Sequence, residues 1–412
     1  MRSWKIEEVF TPRRAEVNEA IYIQRDGLER WLRDAMGSAL HVLIYGDSGC
    51  GKSWLYRKTF KDLGTTYLLA DCANAARLKS FSKEFEVVVD RHQPVRKTGY
   101  TEKKTASVKI PVAEGGLEHE ASYRLAAKEP FERILELLNK MSKNKPSVLV
   151  IDNLEEIVSD KDRMKELGNI ITLCDNPDYA KYKVKLLIVG VPRDVRTYFS
   201  KTLHQETVAN RLQELPEVGG LSKDGTHSFV LLGFNTLLRY DLSPETLKEW
   251  SKEIYNYTMG IPLRLHELCL HVATLHSQNR KDSQTVSRAG WRWAYQSMNQ
   301  FRANIEVAMN ERHTKTGRRN QVIYALGQIK RETFTVTMVE ETVKREFPVS
   351  TKGRALGISS ILAKLADMEH PIVASTGKGR AYAFDDKRYQ MCIRCMLRKD
   401  GELVSMARDD QE

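Results

Sequence analysis

The residues Gly46-Asp47-Ser48-Gly49-Cys50-Gly51-Lys52-Ser53 carry the chemistry of this chain most plainly. Glycines at the first, fourth and sixth places let successive backbone N–H groups converge on one anion, while Lys52 brings a mobile positive charge. Ser53 adds a hydroxyl suited to a hard divalent cation. The apolar run His41 to Tyr45 precedes the loop and a helical pattern follows it, so the loop lies where a strand passes into a helix. The expectation is a cradle in which all eight residues approach the phosphates of ATP or ADP, with Mg²⁺ held through Ser53.

A magnesium site opposite such a loop needs a carboxylate at the end of a neighbouring strand. The run Ser147-Val148-Leu149-Val150-Ile151 ends in Asp152, which fits that place and is expected to share Mg²⁺ with Ser53. The next residue is Asn153, which can orient a water but cannot take its proton. Glu155 and Glu156 are then the available bases, with Glu155 preferred, and turnover is expected to be slow. After the strand ending at Gly190, Arg193 is a candidate γ-phosphate sensor. Arg211, which follows a polar helix at 201–208, is a candidate to reach a neighbouring subunit's nucleotide. Met259-Gly260-Ile261-Pro262 ends one helix and starts another, since glycine suits a C-cap and proline a first turn.

These residues need a scaffold that lines up strand ends. Strands are expected at 41–45, 66–70, 147–152 and 185–190, alternating with helices at about 52–62, 129–142 and 161–174, which reads as a doubly wound parallel α/β sheet. The runs Glu84 to Asp90 and Ala106 to Val112, joined by a basic stretch around Tyr100, read as an inserted β-hairpin at about 80–127. Past about 242 the pattern is helical, with Leu247, Trp250, Ile254, Leu263, Leu268 and Val272 in period. A polar connector at 311–319 leads to helix, helix, helix and two short strands around 376–380, the order of a winged helix. In its third helix Ile358, Ile361, Leu362 and Leu365 make the apolar face. Arg354, Ser359, Ser360 and Lys364 are left toward solvent, and Lys378 and Arg380 lie on the wing. The divisions expected are a core at 1–241, a helical lid at 242–312 and a winged helix at 313–412.

Length, composition and charge set the outer bounds. The chain has 412 residues, 41% of them hydrophobic, which allows two or three domains with a substantial core. Its longest apolar runs are of buried-strand length, and Arg2, Lys5, Glu7 and Glu8 stand where a signal peptide needs an apolar stretch. The expectation is a cytoplasmic protein with no membrane role. Six cysteines at scattered positions suggest no disulfide framework, and Cys392-x-x-Cys395 reads as two small residues buried on a helix. Lys and Arg total 65 against 54 Asp and Glu, a net charge of +11 that favours polyanionic partners.

Taken together, the loop, Asp152, Arg193, Arg211 and the Gly260-Ile261-Pro262 corner resemble the AAA+ and STAND branches of the ASCE P-loop ATPases. The similarity is greatest to origin-initiator-like ATPases with a helical lid and a C-terminal winged helix. The resemblance spans about 15–398. It implies that Tyr22-Ile23-Gln24-Arg25 lines the adenine pocket, with Tyr22 and Arg25 as contacts, and that Pro262 and Arg264 belong to a nucleotide-sensing lid. Asn153 departs from the usual acid, and Arg264 lies one residue beyond the spacing of an initiator-type sensor. Two functions follow from the resemblance. One is an ATP-gated oligomeric switch on DNA; the other is a bacterial antiphage or signalling scaffold that controls a separate effector protein.

Overall fold

The computed structural model describes residues 4–92, 128–190, 206–278, 284–309, 317–377 and 381–407. Their contacts fall into two compact units. One holds Gln24–Ser48 and Lys52–Val218; the other holds Met1–Ile23, Gly49–Gly51 and Gly219–Glu412. The stretches expected as lid and winged helix thus lie in one unit, which also takes in the middle of the phosphate loop.

The first unit is a five-stranded sheet of β1 (His41–Tyr45), β2 (Tyr67–Asp71), β3 (Ser147–Asp152), β4 (Val184–Gly190) and β5 (Leu212–Glu214), ordered β2-β3-β4-β1-β5. Every pairing within it is parallel. Continuous apolar runs suit such strands because both faces are covered, and all six residues of β3 are buried. Helices α1 (Asp26–Gly37), α2 (Lys52–Leu63), α3 (Cys72–Leu78), α4 (Phe81–His92), α5 (Pro130–Met141) and α6 (Lys161–Leu173) surround the sheet. Leu149, Ile151, Leu186 and Ile188 share one buried cluster with Phe85, Phe131, Leu135 and Ile171. Each such side chain contributes about 1.5–3 kcal/mol by leaving water.

The expected hairpin is corrected by α4. Glu84 to Asp90 is helical, because Phe81, Phe85, Val88 and Val89 recur at one-turn spacing and are buried on a single face. The three consecutive valines mimic a strand locally, but packing of Phe85 on Phe131, with ring centroids 5.5 Å apart, decides for the helix. The second expected strand at 106–112, with Tyr100 and the basic stretch, lies outside the described residues. Asp71 ends β2 and caps α3, its carboxylate accepting from the Ala73 N–H at 2.9 Å. Strand β5 has only three residues and carries no periodic signal of its own.

The second unit contains α7 (Pro244–Thr258), α8 (Pro262–Ser277), α9 (Thr285–Ser297), α10 (Asn299–Ala308) and α11 (Arg318–Gln328). Strand β6 (Thr333–Thr335), α12 (Val336–Glu346), α13 (Ile358–Ala366), β7 (Val373–Ser375) and β8 (Ala381–Phe384) follow. These three strands form an antiparallel sheet ordered β6-β8-β7. Helix α14 (Lys387–Met396) packs on α7, α9, α10 and α11, which joins the last part of the chain to the helices before it. Cys392 and Cys395 are buried on α14, and burial pushes the Cys392 thiol up to about 12. Among the described residues, no helix is long and apolar enough to cross a membrane.

Candidate functional site

The phosphate loop leaves the carboxyl end of β1 and ends at Lys52, the first residue of α2. Gly46 has φ +150°, and a Cβ there would lie 2.3 Å from the Val218 carbonyl oxygen, so no side chain fits. Gly49, at φ +81°, is equally confined, with the Leu263 Cβ 2.9 Å from where its own would stand. Lys52 Nζ donates to the carbonyls of Gly46 at 2.8 Å and Asp47 at 3.0 Å, which draws the ammonium over the loop. The first turn of α2 carries no acid of its own.

Asp152 closes β3, which β4 alone separates from β1. That order sets the carboxylate across from the loop. Its Oδ2 accepts from the Ser53 hydroxyl and the Tyr56 hydroxyl, each at 3.3 Å, and its Oδ1 accepts from the Asn153 N–H at 2.9 Å. Burial pushes this carboxyl above the usual range, and the three donors pull it back. A serine hydroxyl converging on a carboxylate beside a lysine is an oxygen donor set that suits Mg²⁺.

The residue after Asp152 is held away from proton transfer. Asn153 adopts the left-handed conformation, φ 62° and ψ 42°, which asparagine tolerates better than most residues. Its Nδ2 donates to Asp71 Oδ1 at 3.0 Å, across the in-register pair of Asp71 and Asp152. Asp71 is itself braced, since its N–H donates to the buried Glu84 at 3.0 Å. In the short helical turn Leu154–Glu156, Glu156 is exposed. Glu155 is half-buried, and its Oε2 has no hydrogen-bond partner among the described residues.

The other expected site residues are not all brought to this edge. The Arg211 backbone carbonyl accepts from His41 N–H at 2.9 Å, so Arg211 stands at the amino end of β1, a strand's length from the loop. Its guanidinium is paired with Asp175 and donates to the Thr207 carbonyl at 2.7 Å. Arg193 lies outside the described residues, as do Lys378 and Arg380. Tyr22 is half-buried in the second unit, whereas the Arg25 N–H donates to Glu29 at 3.0 Å in the first. Pro262 begins α8 as expected, and the next N–H, from Leu263, donates to the Gly49 carbonyl at 3.1 Å. Arg264 points into an ion pair with Glu267 at 2.8 Å, and Trp293 donates to the same carboxylate oxygen at 3.0 Å.

Two residues at the site escaped the sequence reading. Tyr56 and Asp71 both touch the Asp152–Asn153 corner. The signal for Tyr56 was its place four residues after Lys52, on the same side of the helix. No comparable signal marks Asp71, because parallel register is set by tertiary packing.

The comparisons bear on the fold. Residues 35–199 match the family described as AAA domain. A Walker-type ATPase of Pyrococcus abyssi is 16% identical, with a TM-score of 0.53 over 94% of this chain and 99% of that one. The Aeropyrum pernix ORC1 protein, solved in complex with DNA, is 13% identical at a TM-score of 0.45, covering 95% and 96% of the two chains. The ORC2 protein of the same organism, in its ADP form, is 12% identical at 0.47, covering 92% and 93%. No curated protein sequence matches the chain. With the loop, the facing acid and the sheet order all in place, residues 35–199 are similar to an AAA-type P-loop domain.

Proposed function

We propose that the chain is a slow, nucleotide-gated ATPase that uses ATP state as a switch and acts on DNA. The convergence of Ser53 and Asp152 beside Lys52 is the observation that carries this reading. The loop N–H groups and Lys52 bind the phosphates, with Lys52 exchanging the Gly46 and Asp47 carbonyls for phosphate oxygens. Ser53 and Asp152 would hold Mg²⁺, which when bound would neutralise charge on the transferred phosphoryl group. Glu155 receives the proton of the attacking water as that oxygen bonds to the γ-phosphorus, and ADP leaves. The unpartnered Glu155 oxygen favours it over the exposed Glu156. Turnover is slow because Asn153, adjacent to the metal carboxylate, is engaged by Asp71 and holds no proton-accepting group.

Three helices, α11 to α13, with the β6-β8-β7 sheet support a winged-helix reading of the C-terminal part. Buried Ile358, Leu362 and Leu365 leave Ser359, Ser360 and Lys364 exposed on α13, beside exposed Arg354. That face and the net charge of +11 support contact with a duplex. Arg211 serves a neighbouring copy's nucleotide in an ATP-bridged oligomer by exchanging Asp175 for phosphate.

The test is calorimetry with ATP and Mg²⁺, paired with fluorescence anisotropy of a labelled duplex at 50 and 200 mM salt. Micromolar nucleotide binding that Lys52→Ala removes, together with duplex binding that is ATP-dependent and weaker at high salt, is expected. A folded protein that binds ATP but no duplex at either salt contradicts the DNA reading.

A further inference from the structure

We propose that Tyr56 is a positioning residue for Asp152, its hydroxyl fixing the carboxylate in the orientation from which it serves the cation. The inference rests on the reading of Asp152 as the Mg²⁺ carboxylate. Tyr56 stands on α2 three residues beyond Ser53, so both hydroxyls reach the same face and the same oxygen, Asp152 Oδ2. Behind it, Arg57 Nε donates to the Tyr56 oxygen at 3.4 Å. A guanidinium can only donate, so the single phenolic hydrogen goes forward to Asp152, and the order Arg57 to Tyr56 to Asp152 is fixed.

The ring is fully buried, with its centroid 5.7 Å from that of Phe60 and 6.1 Å from that of Tyr67. Space-filling at this position needs only phenylalanine, as at Phe60. A phenol that is buried needs a partner, and this one finds it at the carboxylate. The hydroxyl lies 3.3 Å from Asp152 Oδ2 and is the donor in that bond. Asp152 is itself buried. Losing the phenol leaves Ser53 as the only hydroxyl on Oδ2 among the described residues, and Ser53 is also asked to hold the cation.

The experiment compares wild type, Tyr56→Phe and Phe60→Leu. Two quantities are read for each: the affinity for fluorescent ADP in EDTA, and the Mg²⁺ concentration at half-maximal enhancement of ATP-analogue binding. A hydrogen bond to a charged group supports a shift of about tenfold. Tyr56→Phe is therefore expected to leave metal-free ADP affinity unchanged and to raise the Mg²⁺ midpoint about tenfold, while Phe60→Leu lowers Tm without moving that midpoint. An unchanged midpoint in Tyr56→Phe overturns the inference. So does an equal shift in Phe60→Leu, or a parallel loss of metal-free binding in Tyr56→Phe, since either makes Tyr56 a packing residue. Failure of wild type to bind nucleotide at all is a different result, and it overturns the ATPase reading on which the inference stands.

Discussion

Replacing Asn153 with aspartate tests why an amide stands beside Asp152. The Asn153 Nδ2 donates to Asp71 Oδ1 at 3.0 Å, so Asn153→Asp substitutes an oxygen for the donor and brings two carboxylates together. The lost bond to a charged acceptor costs about 1.5–3 kcal/mol. Repulsion between unit charges at this range is at most about 5 kcal/mol at an effective dielectric near 20. Both side chains are half-exposed, which screens most of it, and proton uptake relieves the rest. A net loss of about 3 kcal/mol at pH 7.5 follows, or roughly 6–12 °C in Tm for a domain of this size.

The sign of the pH dependence is fixed by the pair. One carboxyl in the variant has a raised folded pKa, so its protonated form is favoured and the variant regains stability as pH falls toward 5. The reciprocal exchange, Asp71→Asn with Asn153→Asp, restores one donor and one acceptor, and asparagine caps α3 as well as aspartate does. Thermal unfolding of wild type, the single variant and the exchange at pH 5 and 7.5 provides the assay. A single variant as stable as wild type at pH 7.5, or an exchange no better than the single change, would refute the argument that Asp71 excludes an acid at position 153.

Further outcomes follow from the same geometry. Glu155→Gln is expected to lower kcat by about 10²-fold or more with little change in ATP affinity, whereas Glu156→Gln changes neither, as single-turnover and binding measurements would show. His41 and His266 are buried neutral with pKa values lowered to about 4 by desolvation, against 6.5 when unfolded. Each thus supports the fold fully above pH 6.5 and loses up to about 3 kcal/mol of that support as pH falls toward 4. Urea midpoints should fall over that window, and less so in His266→Gln. Lys364→Ala is expected to weaken duplex binding about evenly across sequences and reduce the salt slope by about one, read by anisotropy titrations.

Much of the site was legible because its chemistry is written locally. The phosphate loop needs glycines at fixed places, and β3 is an apolar run that ends in an acid, so Asp152 could be named from the run before it. Helix α4 was misread because Val87, Val88 and Val89 favour strands locally, while the choice of period depends on Phe131 more than forty residues away. The Asn153–Asp71 and Tyr56–Asp152 contacts were hidden for another reason. Register between parallel strands and the azimuth of α2 are fixed by the packed core, which no short window contains. The Arg264 pairing was hidden in the same way, since Glu267, which accepts from both Arg264 and Trp293, carries no local signal of that role.

The central claim is that Lys52, Ser53 and Asp152 together hold a magnesium-bound triphosphate. Isothermal titration of wild type, Lys52→Ala and Asp152→Asn with a slowly hydrolysed ATP analogue, with and without Mg²⁺, tests it most directly. The account predicts micromolar binding by wild type, loss of binding in Lys52→Ala, and binding in Asp152→Asn that no longer responds to Mg²⁺. Folded wild-type protein that takes up no nucleotide, or an Asp152→Asn variant with an unaltered Mg²⁺ response, would contradict it.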